Sequence, residues 1–367
     1  MRILIHIFSD RLGGYEIQLA LLAKALQSLG HTIDLICPKG PVAEIFDAST
    51  QIHFDEEISE SHFDLQPPHL VLTLRGPLAR VARLAKKRSI PVIWFCGFRP
   101  SLLPDFTLWR ELIPQLMDHI FVPSDWMRET VEREIPSVPV STLPCAVSPE
   151  LFKAADPRIA LRSALGFSID QPLIAYAARL STHKRHLDLL RALKSIERLF
   201  PDAGLLLLGW TSKSDAIFWD QLYAEIVKLG LEKRVRFVTA LPEAVPDFLS
   251  VADVFVSPAQ NEALGCALLE ALARRLPVIA ASPVGCESLI QDSRCGLTYP
   301  VGDTAALSRC LIRLLDSGEM RQQMGLRGHE AVQQAHTIKN TQEHFLHTAK
   351  DLLSCVAACS HPEGSLI

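Results

Sequence analysis

The sequence predicts an α/β protein built from two doubly wound domains, each a parallel sheet with helices on both faces. Three observations carry this expectation. Short β-rich apolar runs alternate with helical stretches along the chain. The runs are apolar almost throughout, not at alternate positions only, which is the pattern of strands buried on both faces. The alternation also breaks once, over Leu143 to Pro157, where Pro144, Pro149 and Pro157 remove any periodicity and mark a linker. A chain of 367 residues has room for two domains of ordinary size.

In the first half the expected strands are residues 2–8, 32–37, 69–74, 91–95 and 118–122. The first run leads into Ser9-Asp10-Arg11 and not into a small-residue cleavage site, so it reads as a buried strand and not as a signal peptide. The pattern from Glu16 to Leu29 is helical and stops at Gly30, as a helix with a glycine just past its end does. In the second half the runs are 172–177, 204–208, 235–239, 253–257 and 277–281, with Gly296 to Tyr299 a weaker sixth. From about Ser317 onward the pattern is helical only. The expected domains are therefore 1–150 and 151–340. A C-terminal helix and tail over 341–367 is expected to cross back to the first domain, with Ser360 to Ile367 a loose end. Ligands of doubly wound folds bind beyond the carboxyl ends of the strands, here at a cleft between the two domains.

Composition excludes several function classes. The chain is 48% hydrophobic and 21% charged, so large cores form and wholesale disorder is excluded. A formal net charge of −4 argues against a nucleic-acid partner. No apolar run approaches the roughly 20 residues of a membrane span. Nine scattered cysteines, an odd number without zinc-ligand spacing, read as reduced thiols in a cytosolic protein. The thirteen histidines form no metal cluster and no paired-aspartate motif occurs, so no metal cofactor is expected.

The most informative stretch is Asn261-Glu262-Ala263-Leu264-Gly265-Cys266-Ala267-Leu268-Leu269-Glu270. Two carboxylates bracket a glycine turn and the start of an apolar helix. Glu270 lies among Leu268, Leu269, Ala271, Leu272 and Ala273, where an ionised carboxylate is costly unless something binds it. A helix start is an anion site. Together these suggest a pocket for a ligand with hydroxyls and a phosphate, which describes a sugar nucleotide. The bland readings are a Glu262 facing a helix dipole and a Glu270 paired with Arg274 one turn on. Upstream, Arg179 and Lys184 follow the run ending at Ala177 and can converge on one diphosphate, the arginine as a fork and the lysine as a point charge. In the first half, Leu12-Gly13-Gly14-Tyr15-Glu16 opens a helix with two glycines that let backbone approach a ligand. The third glycine of the dinucleotide fingerprint is absent, which disfavours an oxidoreductase.

This order of motifs resembles the retaining glycosyltransferases of the GT-B fold, glycosyltransferase family four (glycosyl transferases group 1). The resemblance is strongest from Ala178 to Leu289 and rests on Arg179, Lys184, Glu262, Glu270, Pro277 and Gly285 in that order. It implies two Rossmann-like domains across a cleft. It implies that Arg179 and Lys184 clamp the diphosphate and that Glu262, with the backbone of Ala263, Leu264 and Gly265, cradles the donor sugar and diphosphate. Glu270 would bind the ribose hydroxyls, and Thr239 and Leu241 would flank the base. Gly13 and Gly14 would approach the donor phosphates. The substrate is then a nucleotide-diphosphate sugar used without a metal, and the partner a glycan or lipid-linked acceptor. Three departures stand out. Many relatives carry a histidine in the region that here reads Phe95-Cys96-Gly97-Phe98-Arg99. Arg185 follows Lys184 where glycine is usual, and Leu143 to Ser148 departs from the usual turn. Arg99 could instead contact donor or acceptor, or be an ordinary exposed cation.

Arg75, Arg80, Arg83, Lys86, Lys87 and Arg88 form a basic stretch without an acid, in which Arg80, Arg83 and Lys87 share a helix face. Such a face docks on anionic lipid or is simply solvated. The expectation is a cytoplasmic, metal-independent retaining glycosyltransferase of cell-surface polysaccharide or glycolipid synthesis, peripheral on the inner membrane face if the basic surface binds lipid. Two alternatives stay open. One is a GT-B protein that has lost catalysis and acts as a binding partner. The other is a non-hydrolysing sugar-nucleotide epimerase.

Overall fold

The structure is a computed structural model that describes residues 1–9, 12–54, 60, 63, 66–74, 80–153, 158–209, 216–240 and 244–360. The chain divides into two compact units, Met1–Ala146 with Thr337–Ile367, and Val147–His336. The first crossing falls within the proline-rich segment, a few residues before the expected boundary at 150. The second falls at His336, a few residues before the expected 340.

The first unit holds a seven-stranded parallel sheet in the order β3-β2-β1-β4-β5-β6-β7. Its strands are β1 (Arg2–Ile7), β2 (Thr32–Cys37), β3 (Gln51–Phe54), β4 (Leu70–Leu74), β5 (Val92–Phe95), β6 (His119–Val122) and β7 (Val140–Thr142). The central strands β4 and β5 are buried along their whole length and β1 from Ile3 onward, as their apolar runs require. A buried polar pair, His6 Nδ1 and Thr73 Oγ1 on adjacent strands, is matched at 3.1 Å. The helix Gly14–Ser28 ends before Gly30, whose φ of +80° needs no Cβ.

The helix Ile338–Ser360 belongs to this unit and packs on the helix Gly14–Ser28. Its seat is specified by polar groups. Thr341 Oγ1 donates to the Pro144 carbonyl (2.6 Å) and Gln342 Nε2 to that of Ala25 (2.7 Å), while Phe345 is fully buried beside Phe121. Gln18 closes the same corner by bonding both the N–H and the carbonyl of Ala146.

The second unit holds a six-stranded parallel sheet in the order β10-β9-β8-β11-β12-β13. The strands are β8 (Leu173–Ala177), β9 (Gly204–Gly209), β10 (Val235–Thr239), β11 (Val254–Ser257), β12 (Val278–Ser282) and β13 (Gly296–Pro300). Arg162 is 1% exposed and acts as an internal tie: its guanidinium donates to the carbonyls of Val251, Ser168, Ile169 and Gln171 and pairs with Asp253 at 2.8 Å. All its donors then have partners, which is the condition for burying a charge. Asp253 also accepts from the Leu173 N–H, so this network fixes the starts of β8 and β11 together.

Candidate active site

In the second unit, chain order reverses across the sheet between β8 and β11, so the loops leaving their carboxyl ends diverge and open a crevice. Both loops carry chemistry. After β8 come Arg179 and a single 3-10 turn, Thr182–Lys184. After β11 comes the segment with Glu262, then the helix Cys266–Ala273. Lys184 Nζ meets Glu262 Oε2 at 2.5 Å, and each side chain is only 17% exposed.

Backbone contacts hold this pair in place. The Gln260 N–H donates to the His183 carbonyl (2.8 Å), tying the two loops. The Gly285 N–H, beyond β12 and the cis Ser282–Pro283 bond, donates to the Glu262 carbonyl (2.8 Å) and adds the third loop. The buried Tyr176 hydroxyl donates to the Lys184 carbonyl (2.9 Å). Gly209 is required at the end of β9, because a Cβ there would strike the Ala178 carbonyl. Gly265 caps the Cys266–Ala273 helix with φ +92°; backbone conformation selects glycine here, since a Cβ would meet Glu262 and Leu268 only at ordinary contact distance. The N-cap residue there is glycine, which has no side chain to offer the helix start.

The two carboxyls have opposite electrostatics. Burial pushes Glu262 up, but the Lys184 charge and its hydrogen bond, with His183 and Arg179 behind them, hold it below the ordinary carboxylate value. Glu270 has no side-chain hydrogen bond or ion pair among the described residues, and burial alone raises it to about 8. The expected alternative, pairing with Arg274, does not occur: Arg274 donates to the Lys153 carbonyl and approaches Asp247. A dipole-facing role is likewise not what engages the Glu262 carboxylate, since Lys184 does.

Arg179 is half-buried and lies within electrostatic reach of both Glu262 and His183. Thr239 ends β10, exposed at the same carboxyl edge two strands from β8, while Leu241 lies outside the described residues. Ala263 and Leu264 are buried in the Glu262 loop. Gly13 and Gly14 belong to the first unit, where Gly13 is extended and its carbonyl accepts from Ile17. Arg99 is also there, engaged with Glu134 at 3.1 Å, so an acceptor would have to compete for it. Gly97 carries no side chain, and the Tyr15 ring fills the space one would need.

Sequence reasoning gave no role to Tyr176, Gln260 or His183. The first two act through a hydroxyl and a main-chain N–H that no spacing announces. His183 was legible, being the neighbour of Lys184. Arg185 has φ +53°, which explains why glycine suits that position, and its guanidinium is held by Asp188 at 2.6 Å. In the basic stretch Lys86 pairs with Asp118 and Lys87 with Glu60, leaving Arg80 and Arg83 as the exposed cations of their helix; Arg75 lies outside the described residues. Among the described residues no group of His, Cys, Asp and Glu side chains could hold a metal ion, and no helix is long and apolar enough to cross a membrane.

Residues 158–331 match the family model of the glycosyl transferases group 1. The chain is 25% identical over 361 residues to a GDP-mannose-dependent alpha-(1-6)-phosphatidylinositol monomannoside mannosyltransferase of Mycolicibacterium smegmatis, covering 88% of this chain and 90% of that protein. A GDP-mannose-dependent monoacylated alpha-(1-6)-phosphatidylinositol monomannoside mannosyltransferase of Corynebacterium glutamicum is 25% identical over 342 residues, with 82% and 88% covered. Among solved structures, Anabaena HepE in complex with UDP and glucose superposes with a TM-score of 0.82 at 18% identity, over 96% of this chain and 100% of that one, which is a likeness of fold. The family match thus falls on the second unit, over residues 158–331, and the chain as a whole, with its two parallel-sheet Rossmann-like units, has the GT-B fold.

Proposed function

We propose that the protein transfers a sugar, with retention of anomeric configuration and without a metal, from a nucleotide-diphosphate sugar to a glycan or lipid-linked acceptor. The observation that carries this reading is the Lys184–Glu262 pair at the switch point of the second sheet, within electrostatic reach of Arg179. Lys184 and Arg179 neutralise the charge that builds on the departing diphosphate. Glu262, kept ionised by Lys184, accepts hydrogen bonds from hydroxyls of the donor sugar. Glu270 accepts from the two ribose hydroxyls, which supply the partners its buried carboxyl lacks.

The glycosidic bond to the β-phosphate breaks, the acceptor oxygen bonds the anomeric carbon on the same face, and the leaving phosphate oxygen takes the acceptor proton. NMR of the product formed in chelator tests both halves of the reading. Inverted configuration, or activity only with added divalent metal, would refute it. A covalent sugar–enzyme adduct seen by mass spectrometry during turnover would contradict same-face transfer.

One observation favours a second reading, a nucleotide binder without transferase activity: position 97 presents no side chain, and Tyr15 occupies its space. Donor hydrolysis or transfer that disappears on Lys184→Ala decides for the enzyme. The exposed Arg80 and Arg83 support docking on an anionic inner membrane face, with Lys87 a weaker contributor because Glu60 engages it. Sedimentation with phosphatidylglycerol vesicles, unchanged by reversing both arginines to glutamate, would exclude that role.

A further inference from the structure

The Lys184 ammonium reaches Glu262 only as well as the turn that carries it is held. That turn, Thr182–Lys184, is three residues long, and its own bonds run from the Lys184 N–H to the Ser181 carbonyl (3.0 Å) and from the Arg185 N–H to that of Thr182 (3.1 Å). A single 3-10 turn does not hold itself in place. Arg185, which follows, has φ +53°, a conformation that a residue with a Cβ adopts at a cost. Contacts from outside must therefore fix the turn. One is the Gln260 N–H on the His183 carbonyl. Another comes from a side chain inside the sheet. Tyr176, in β8, is 2% exposed, and its ring packs on His186 (4.9 Å between centroids) and on Phe255 of the neighbouring strand β11 (6.4 Å). His186 is itself buried, against Phe218 (5.7 Å). From this cluster the Tyr176 hydroxyl donates to the Lys184 carbonyl at 2.9 Å.

Resting on the glycosyltransferase reading above, we infer that Tyr176 is a positioning residue of the donor site: its hydroxyl holds the Lys184 main chain at the point from which the ammonium meets Glu262 and, once a donor is bound, the donor's diphosphate. Tyr176 touches neither phosphate nor sugar and acts through Lys184. The ring alone would serve the core, because phenylalanine has the same ring and fits the same contacts. A buried phenol is costly unless its O–H finds an acceptor, and here the acceptor is the main chain of the residue that makes the ion pair. β8 and β11 are the central strands of the second sheet, so the hydroxyl fixes the lysine relative to the middle of that sheet.

Tyr176→Phe removes the hydroxyl and keeps the ring. Carboxyl-carbon NMR of Glu262 against pH reads the ion pair without any ligand. Lys184 holds the Glu262 midpoint down, so in Tyr176→Phe the midpoint should rise towards that of Lys184→Ala, while the Tm falls by about 5 °C or less. UDP and GDP, titrated calorimetrically into the full chain, should bind roughly three- to tenfold more weakly, the loss of one hydrogen bond's contribution. In a Lys184→Ala background the same substitution should change neither the midpoint nor the affinity. A merely structural tyrosine would lower the Tm and leave the Glu262 midpoint where it is, and that result overturns the inference. So does wild-type affinity in Tyr176→Phe, or an equal loss with and without Lys184. A wild type that binds neither UDP nor GDP overturns the glycosyltransferase reading, and the Glu262 midpoint then decides by itself whether Tyr176 places Lys184.

Discussion

Glu270→Gln should make the ligand-free protein more stable and the nucleotide-bound state weaker. The Glu270 carboxyl is raised from 4.5 to about 8 by burial, with no partner to offset it. For an acid raised in the folded state, the folded chain holds the proton that the unfolded chain has already lost. Stability therefore falls as pH rises from about 4.5 to 8, then levels off. At about 1.4 kcal/mol per pKa unit the full effect is roughly 5 kcal/mol. Part of the side chain reaches the surface, so that is an upper bound. Half of it would raise the Tm of a unit this size by about 5–10 °C. Glutamine keeps the shape and removes the charge. The gain should be absent near pH 4.5, grow through neutrality and be complete above about pH 8. The same substitution removes a carboxylate that would accept two ribose hydroxyls. Hydrogen bonds to charged groups contribute about 1.5–3 kcal/mol each; glutamine keeps one acceptor oxygen, so the loss of one such bond should weaken UDP or GDP binding by roughly 10- to 150-fold. Thermal unfolding across pH, with and without nucleotide, reads both effects. A variant no more stable than the wild type at pH 8.5, or one that binds nucleotide as well, would refute the reasoning.

Three further outcomes are expected. Lys184→Met strands the Glu262 carboxylate and should cost about 3–5 kcal/mol in denaturant unfolding, while adding Glu262→Gln recovers part of the loss; purely additive effects would remove the coupling. Gly209→Ala drives a methyl into the Ala178 backbone and should lower both Tm, by the equivalent of about 1–3 kcal/mol, and nucleotide affinity, since Arg179 follows Ala178; a loss of stability alone would show that the strand end does not position the arginine. Arg185→Gly trades relief of a left-handed backbone for loss of the Asp188 pair and should change stability by less than about 1 kcal/mol, whereas Arg185→Val should be clearly destabilising.

The strands that sequence periodicity finds are the buried ones, and the two it misses are the outermost. Gln51-Ile52-His53-Phe54 and Val140-Ser141-Thr142 form β3 and β7, the edges of the first sheet. An edge strand has one neighbour and solvent beside it, so it needs neither length nor a continuous apolar run, and neither segment has one. The second sheet was legible throughout, including its weakest strand, Gly296–Pro300. Its strands are buried or half-buried except at the end residues Thr239 and Pro300, and Leu205 to Leu208 form an unbroken buried run. The helix Ile338–Ser360 was legible as a helix, but the polar contacts that seat it on the first unit join residues about 200 to 300 positions apart.

The site divides along the same line. Arg179, Lys184 and Glu262 stand out in the sequence by their places after expected strands and by the family resemblance, and Glu270 because a carboxylate is costly among apolar residues. What the pattern could not supply is which carboxyl keeps its charge. On sequence alone Glu262 stands near a helix start and Glu270 among apolar residues, and neither position says which carboxyl finds a partner. In three dimensions one meets an ammonium from the neighbouring loop, which holds it below the ordinary carboxylate value, while the other has no side-chain partner among the described residues and burial raises it to about 8. Pairs of acids driven apart in this way divide the work of a site. Glu262 is ready before the ligand arrives and helps hold Lys184 in place. Glu270 reaches its working state only when hydroxyl donors replace the missing partners, so nucleotide binding should release a proton at this residue below about pH 8. A buried acid without a partner is a standing cost to the free fold. Its persistence at a crevice beside the Lys184–Glu262 pair is explained if the partner is the ligand.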